Sequence, residues 1–250
     1  MKRILSPITL LLLMTASCHS PADELVLNES EYFERQGVNV LVYSNLFTGG
    51  FNDEKTSGLE VIHHGVRTVQ GGAVRLSDTP EQWDLVPATT ERKVNIEDGS
   101  IEVALRYEDY DFDSRIIVTG KGKAVEISVY LDEALPEELV GEAGFNLEFL
   151  PSQYWGKTFI VDGRPDRFPK YAASTTETRP SVQKPKQFKN YRTYDDRGTG
   201  MFVDPLPLES GREFIIAPDA PERMMKLSST DSDIMLFDGR MLAQNGWYVF

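Results

Sequence analysis

The chain predicts an all-β protein, a large antiparallel two-sheet sandwich of supersandwich size with few short helices. Three observations carry this prediction. Apolar and polar residues alternate with a period of two in run after run, the pattern of strands with one buried face. Glycine-bearing turns separate consecutive runs. No twelve-residue stretch holds an apolar stripe at helical spacing.

Taken in order, residues 28–35 fit a short helix capped by Asn28 or an edge strand, and 38–43 (VNVLVY) read as a buried strand. Residues 92–97 and 101–107 alternate on either side of Asp98-Gly99, and that dipeptide marks a hairpin because its turn requires positive φ. A second pair, 115–118 and 124–131, is joined by Gly120-Lys121-Gly122-Lys123. Residues 136–140 fit a single helical turn. Further strands are expected at 145–150, 158–161, 213–217, 234–237 and 247–250. Residues 171–200 are polar, contain two prolines and carry six Lys or Arg against three acids, which reads as a surface loop inserted in the module. With so many short strands in one run, a single module over 29–250 is expected.

Composition narrows the function. Of 250 residues, 39 are acidic and 26 are Lys or Arg, a formal net charge of −13. Such a chain repels nucleic-acid phosphates. One cysteine excludes an intrachain disulfide and a thiolate metal cluster, and three histidines make a poor metal site.

The first seventeen residues have a basic start (Lys2, Arg3) and an apolar run from Ile8 to Met14, too short to span a bilayer. Thr15-Ala16-Ser17 then precede Cys18. Small residues before a cysteine resemble a bacterial lipoprotein cleavage box, although Thr15 stands where that box usually has Leu. The resemblance implies a signal peptide over 1–17, lipidation of Cys18 and a tether over 18–28. It places the protein at the cell envelope, most readily the outer membrane, on its periplasmic or its surface face. The last five residues (GWYVF) are apolar and strand-like, which suggests that residues are missing after Phe250.

Motifs for chemistry are few. His63 and His64 are adjacent on an expected strand, so their rings diverge. Residues 108–113 (EDYDFD) read as a solvated strand face, with Asp109, Asp111 and Asp113 on one side, or as a turn. Counted from Asp109 as a calcium loop, Ser114 and Gly120 stand where Gly and Glu are required, so no metal site is assigned. Gly156-Lys157-Thr158 lacks the first glycine of a phosphate loop, since Pro151 occupies that place. No nucleophile elbow occurs. Trp83, Tyr154, Trp155 and Trp247 could stack on sugar rings, with Tyr154-Trp155-Gly156 placed as a binding loop after Pro151; the carbohydrate contacts expected are Tyr154, Trp155 and Trp83.

Several pieces recur together: 36–42 (QGVNVLV), 62–67 (IHHGVR), 79–83 (TPEQW), 135–141 (LPEELVG), 144–151 (GFNLEFLP), 154–157 (YWGK), 205–208 (PLPL), Ala217-Pro218, Asp238-Gly239-Arg240 and 245–248 (NGWY). In this order they resemble the amino-terminal β-rich region of bacterial lipoproteins of glycoside hydrolase family 9, the cellulase-like family. The resemblance spans most of 30–250; residues 171–200 are longer and more basic than the family pattern. In that family hydrolysis belongs to a downstream helical barrel. There an aspartate pair activates water and a distant glutamate protonates the leaving oxygen, the two roles set about 6.5–9.5 Å apart. No barrel is contained here, so the resemblance transfers no catalytic residue and implies no cofactor. It implies an accessory sandwich of a polysaccharide-degrading glycosidase, as a truncated or split chain. Its partners would be the barrel, a glucan-type polysaccharide and, through lipid, the membrane. Two other readings are a stand-alone carbohydrate-binding lipoprotein and a mutarotase-like sugar-active enzyme.

Overall fold

A computed structural model describes residues 23–43, 58–76, 87–141, 143–172, 176–180, 192–194, 200–240 and 247–250. Cys18 and Trp83 lie outside the described residues. The elements in order are β1 (Val26–Leu27), β2 (Phe33–Arg35), β3 (Val38–Val42), β4 (Leu59–His63), β5 (Val66–Arg75), β6 (Ala88–Asn95), β7 (Ser100–Tyr107), β8 (Phe112–Lys121), β9 (Ala124–Leu131) and β10 (Gly144–Phe149). There follow the one-turn helix α1 (Pro151–Tyr154), β11 (Thr158–Val161), β12 (Arg164–Arg167), β13 (Thr176–Pro180), β14 (Arg192–Tyr194), β15 (Gly200–Pro205), β16 (Glu209–Gly211), β17 (Glu213–Ile216), β18 (Met225–Ser228), β19 (Ile234–Asp238) and β20 (Tyr248–Val249). The fold is an all-β antiparallel sandwich.

One layer is a nine-stranded sheet in the order β1-β2-β3-β4-β5-β10-β20-β19-β16. A single cross-strand row runs through it: Phe33, Val40, Val61, Val69, Phe149, Tyr248 and Asp238 stand opposite one another in turn. Directly opposed residues share a face. Every member of the row is buried, so one continuous face of this sheet is the floor of the core.

The second layer on that face is split. The sheet β6-β7-β8-β9 covers the amino-terminal part. Its inward residues are Ile101, Val103, Leu105 and Tyr107 on β7 and Phe112, Ile116 and Val118 on β8, at the even spacing that a half-buried strand requires. The Tyr107 hydroxyl donates across the layers to the Val74 carbonyl at 2.7 Å, and Leu25 N–H donates to Gly122 O at 2.7 Å. The sheet β12-β11-β17-β18 covers the other part. There the core is aromatic: Phe168 lies 4.8 Å from Tyr248 and 4.9 Å from Phe159, while Phe250 lies 4.7 Å from Phe149 and 5.2 Å from Phe214. Offset and edge contacts at these separations add to the area buried by each ring.

Both expected hairpins form. Gly99 takes φ 62° in the β6–β7 turn and Gly122 takes φ 59° in the β8–β9 turn. The helical turn near 136–140 is a 3₁₀ turn at Glu137–Leu139. Of 28–35 only Phe33–Arg35 form a strand, β2, and it is neither a helix nor an edge, because β1 and β3 pair with it on either side.

Two expectations are corrected, and a choice between two is decided. Leu25 and Leu27 are already in the core, so the chain enters the fold before the expected end of the tether at 28. Residues 171–200 contain strands: β13 and β14 flank β15 in a three-stranded sheet, held by ladder hydrogen bonds that need no apolar periodicity. Residues 108–113 take the turn and not the strand face. Glu108–Tyr110 form a 3₁₀ turn, Asp111 has φ 49° and β8 begins only at Phe112, so the aspartates do not line one strand face.

Candidate functional site

Two exposed aromatic residues, Trp155 and Tyr171, lie on neighbouring segments. Pro151 opens α1, where its missing N–H costs nothing. The single turn then sends neighbouring rings in opposite directions. Tyr154 is fully buried, 5.3 Å from Phe149 and 5.9 Å from Phe168, so its ring offers no face to a ligand. Trp155, next in the chain, is 52% exposed. Of the three expected carbohydrate contacts, Trp155 alone stands at the surface within the described residues; Tyr154 is its anchor and Trp83 lies outside them. Burial pushes the Tyr154 hydroxyl up to about 12.

A second segment runs beside the Trp155 turn. Gly156 N–H donates to Phe168 O at 2.8 Å, and Phe168 N–H donates to Lys157 O at 3.0 Å. Gly156 has φ 71°, and a Cβ there would lie 2.8 Å from Lys170 Cε, so the Lys170 stem passes over the bare glycine. The chain then emerges at Tyr171, which is 87% exposed. Trp155 and Tyr171 therefore belong to two laced segments, which also carry Lys157 and Lys170.

This platform rests on a buried charge pair. The Arg240 guanidinium grips Asp238 with two bonds of 2.8 Å, donates to Pro169 O at 2.8 Å and Lys170 O at 3.0 Å, and lies 4.7 Å from the Tyr248 ring centre. The Asp238 side chain is fully buried and that of Arg240 is 13% exposed. The hydrogen bond to Asp238 holds Arg240 above its ordinary range, and burial pushes the Tyr248 hydroxyl up to about 12. Tyr248 also donates to Pro169 O. Both Asp238 and Tyr248 belong to the cross-strand row, so the floor of the core fixes residues 168–171 directly. Sequence reading missed Tyr171, Arg240 and Asp238 as members of a site. The available signal was weak: an Asp-x-Arg at the end of an apolar run, and a Lys-Tyr in a polar stretch.

The remaining candidates separate from this place. His63 is buried and His64 is exposed, so the two rings do diverge. The cause is partly a turn, because His64 has φ 49° and lays its ring over Gly37. His63 Nδ1 is 2.8 Å from Thr68 Oγ1, whose hydroxyl donates to Val61 O at 3.2 Å. Thr68 thus ties the His63 ring to the backbone of β4. Burial first, then Arg223, Arg35 and His64, lower His63 to about 4. The charges that act on it are cations, not a carboxylate that could share acid–base work. Asp111 and Asp113 are both paired with Arg106, and Asp132 with Arg115. On the far side of the large sheet, Glu60 is held by Arg67 at 3.1 Å and Glu148 by Gln70 at 3.2 Å. No group of three His, Cys, Asp or Glu among the described residues is placed to hold a metal ion. Gly156-Lys157-Thr158 leads into β11 and not into a helix, leaving no ring of helix N–H groups for a phosphate. No helix among the described residues is long and apolar enough to cross a membrane.

Comparison with known proteins finds no matching family model, no matching curated relative and no matching solved structure.

Proposed function

We propose that the chain is a non-catalytic accessory β-sandwich module of a secreted, lipid-anchored glycoside hydrolase that degrades polysaccharide, and that Trp155 and Tyr171 are its glycan contact. The observation that carries this reading is that two exposed aromatic residues stand on hydrogen-bonded neighbouring segments, the second of them locked by Asp238, Arg240 and Tyr248. Sugar rings present apolar C–H faces that stack on such side chains, and a rigid support removes the ordering cost of binding. Lys157 and Lys170 beside the rings supply donors for hydroxyl groups.

The resemblance of the ordered sequence pieces to the family 9 amino-terminal region supplies the enzyme context and the expected partner barrel. Cys18 supplies the membrane anchor in the same reading. A stand-alone carbohydrate-binding lipoprotein would use the same platform. The mutarotase-like reading gains nothing from His63, whose ring is enclosed and surrounded by cations.

Retention on an insoluble glucan tests the proposal. The chain is expected to sediment with the polysaccharide, and Trp155→Ala and Tyr171→Ala to remain in the supernatant with unchanged circular dichroism. Equal retention of all three proteins, or none by the wild type, rejects the glycan contact. Co-purification with a family 9 barrel supplied in trans then separates an accessory module from a stand-alone binder.

A further inference from the structure

The outer edge of the β6-β7-β8-β9 sheet is β9, an eight-residue strand paired on one side with β8 along its whole length. Among the described residues no strand pairs with its other side, whose backbone N–H and C=O groups form a sheet edge. Open edges invite strand addition, and proteins guard them with charge, proline, bulges or short length. The other sheet edges show these guards. β6 carries Glu91, Arg92 and Lys93 and a register shift between Thr89 and Glu91. β12 contains Pro165 with three charged residues, and β1 and β16 are two and three residues long. β9 has one charge, Glu126, no proline and no register shift.

Its exposed residues are also on the wrong face for water. Val129 stands opposite Ile116 and Leu131 opposite Ser114, both of which point into the sandwich. Val129 and Leu131 are nevertheless 38% and 43% exposed. They are core-face side chains that the described residues leave partly uncovered. Tyr130 between them, 46% exposed, faces outward beneath Arg115.

We propose that β9 is the contact between two copies of this chain, paired antiparallel about a twofold axis through Ser128. Opposed residues in an antiparallel pair direct their N–H and C=O groups the same way, so a strand can pair with its own copy only about a residue. Centred on Ser128, Ile127 meets Val129 and Val125 meets Leu131, joining the uncovered core-face residues of both copies. The same register sets Lys123 opposite Glu133. Centring on Ile127 would put Leu131 opposite Lys123, and centring on Val129 would put Glu126 opposite Asp132. The charge pattern of the strand thus selects one register: cations before it, at Lys121 and Lys123, and acids after it, at Asp132 and Glu133. Lys123 already contacts Asp23 in its own chain, and its three ammonium donors leave room for a second carboxylate. The pairing would fuse two four-stranded sheets into one of eight strands.

Sedimentation equilibrium over a concentration series tests this. The chain should move from the protomer mass to twice that mass. Val129→Lys, a change at an exposed position, should weaken association about tenfold or more by burying a charge at the joint, with unchanged circular dichroism. Lys123→Glu should weaken it as well, and Lys123→Glu combined with Glu133→Lys should restore it. A wild-type protein that keeps the protomer mass at every concentration overturns the proposal, as does a dimer indifferent to Val129→Lys or a double variant that fails to recover.

Discussion

Replacing Arg240 by methionine removes the partner of an aspartate that has no exposed side-chain surface. Methionine keeps the length of the aliphatic stem, so the change is mainly one of charge and hydrogen bonding. Breaking a buried ion pair from one side costs about 3–5 kcal/mol, because the remaining charge stays desolvated without its counter-ion. The carbonyls of Pro169 and Lys170 lose their donor in the same step. Against a domain stability of about 5–15 kcal/mol, that is a large fraction. In urea denaturation followed by circular dichroism at neutral pH, with a slope of about 2–3 kcal/mol per molar, the midpoint should fall by about 1–2 M. Adding Asp238→Asn to Arg240→Met removes the stranded charge and should recover about 2 kcal/mol or more of the loss. A single variant within about 1 kcal/mol of wild type, or a double variant no better than the single, would refute the claim that this pair holds the platform.

Further outcomes follow from the same geometry. His63 is lowered to about 4 in the folded chain against 6.5 when free, so the unfolded chain binds the extra proton between these values. Stability from this source is therefore full above pH 6.5 and is lost as pH falls towards 4; His63→Gln should flatten that part of the pH–stability curve. Phe168 touches the rings of Tyr154, Phe159, Tyr248 and Phe250, and Phe168→Ala should cost about 3–5 kcal/mol in the same urea titration. A Cβ on Gly72 would lie 2.5 Å from Leu59 Cβ and 2.8 Å from Leu59 N, so Gly72→Ala must push β4 from β5 and should cost about 1–3 kcal/mol by the same measurement. Under the lipid-anchor proposal, Cys18→Ser should move the protein from the membrane fraction to the soluble fraction; unchanged partition would reject it.

The legible part of the fold was local. The β6–β7 and β8–β9 hairpins could be read because alternation and a positive-φ glycine are both set within about twenty residues. Pairings that join distant segments could not. Val69 with Phe149 and Phe149 with Tyr248 create the cross-strand row, yet nothing in 66–75 names 144–149 as its neighbour. β12 was invisible for another reason: its four residues are all exposed, and it is a strand only because β11 lies beside it. Residues 171–200 read as a loop because ladder hydrogen bonds leave no hydropathy signal. At the site, Tyr154 and Trp155 are equivalent aromatics in the sequence. Which one is buried depends on the phase of one helical turn and on Phe149 and Phe168 beneath it, and neither is local information. Asp238-Gly239-Arg240 reads as an ordinary turn until Tyr248 and Pro169 are brought against it.

The central claim is that Trp155 is an exposed sugar contact on a prebuilt support. Its most direct test follows the indole N–H resonances of the three tryptophans by ¹⁵N-edited spectroscopy while a soluble cello-oligosaccharide is added, with Trp155→Phe identifying the Trp155 signal. The account predicts a saturable shift of the Trp155 indole larger than any shift at Trp247. A Trp155 signal that stays fixed through the titration would contradict it.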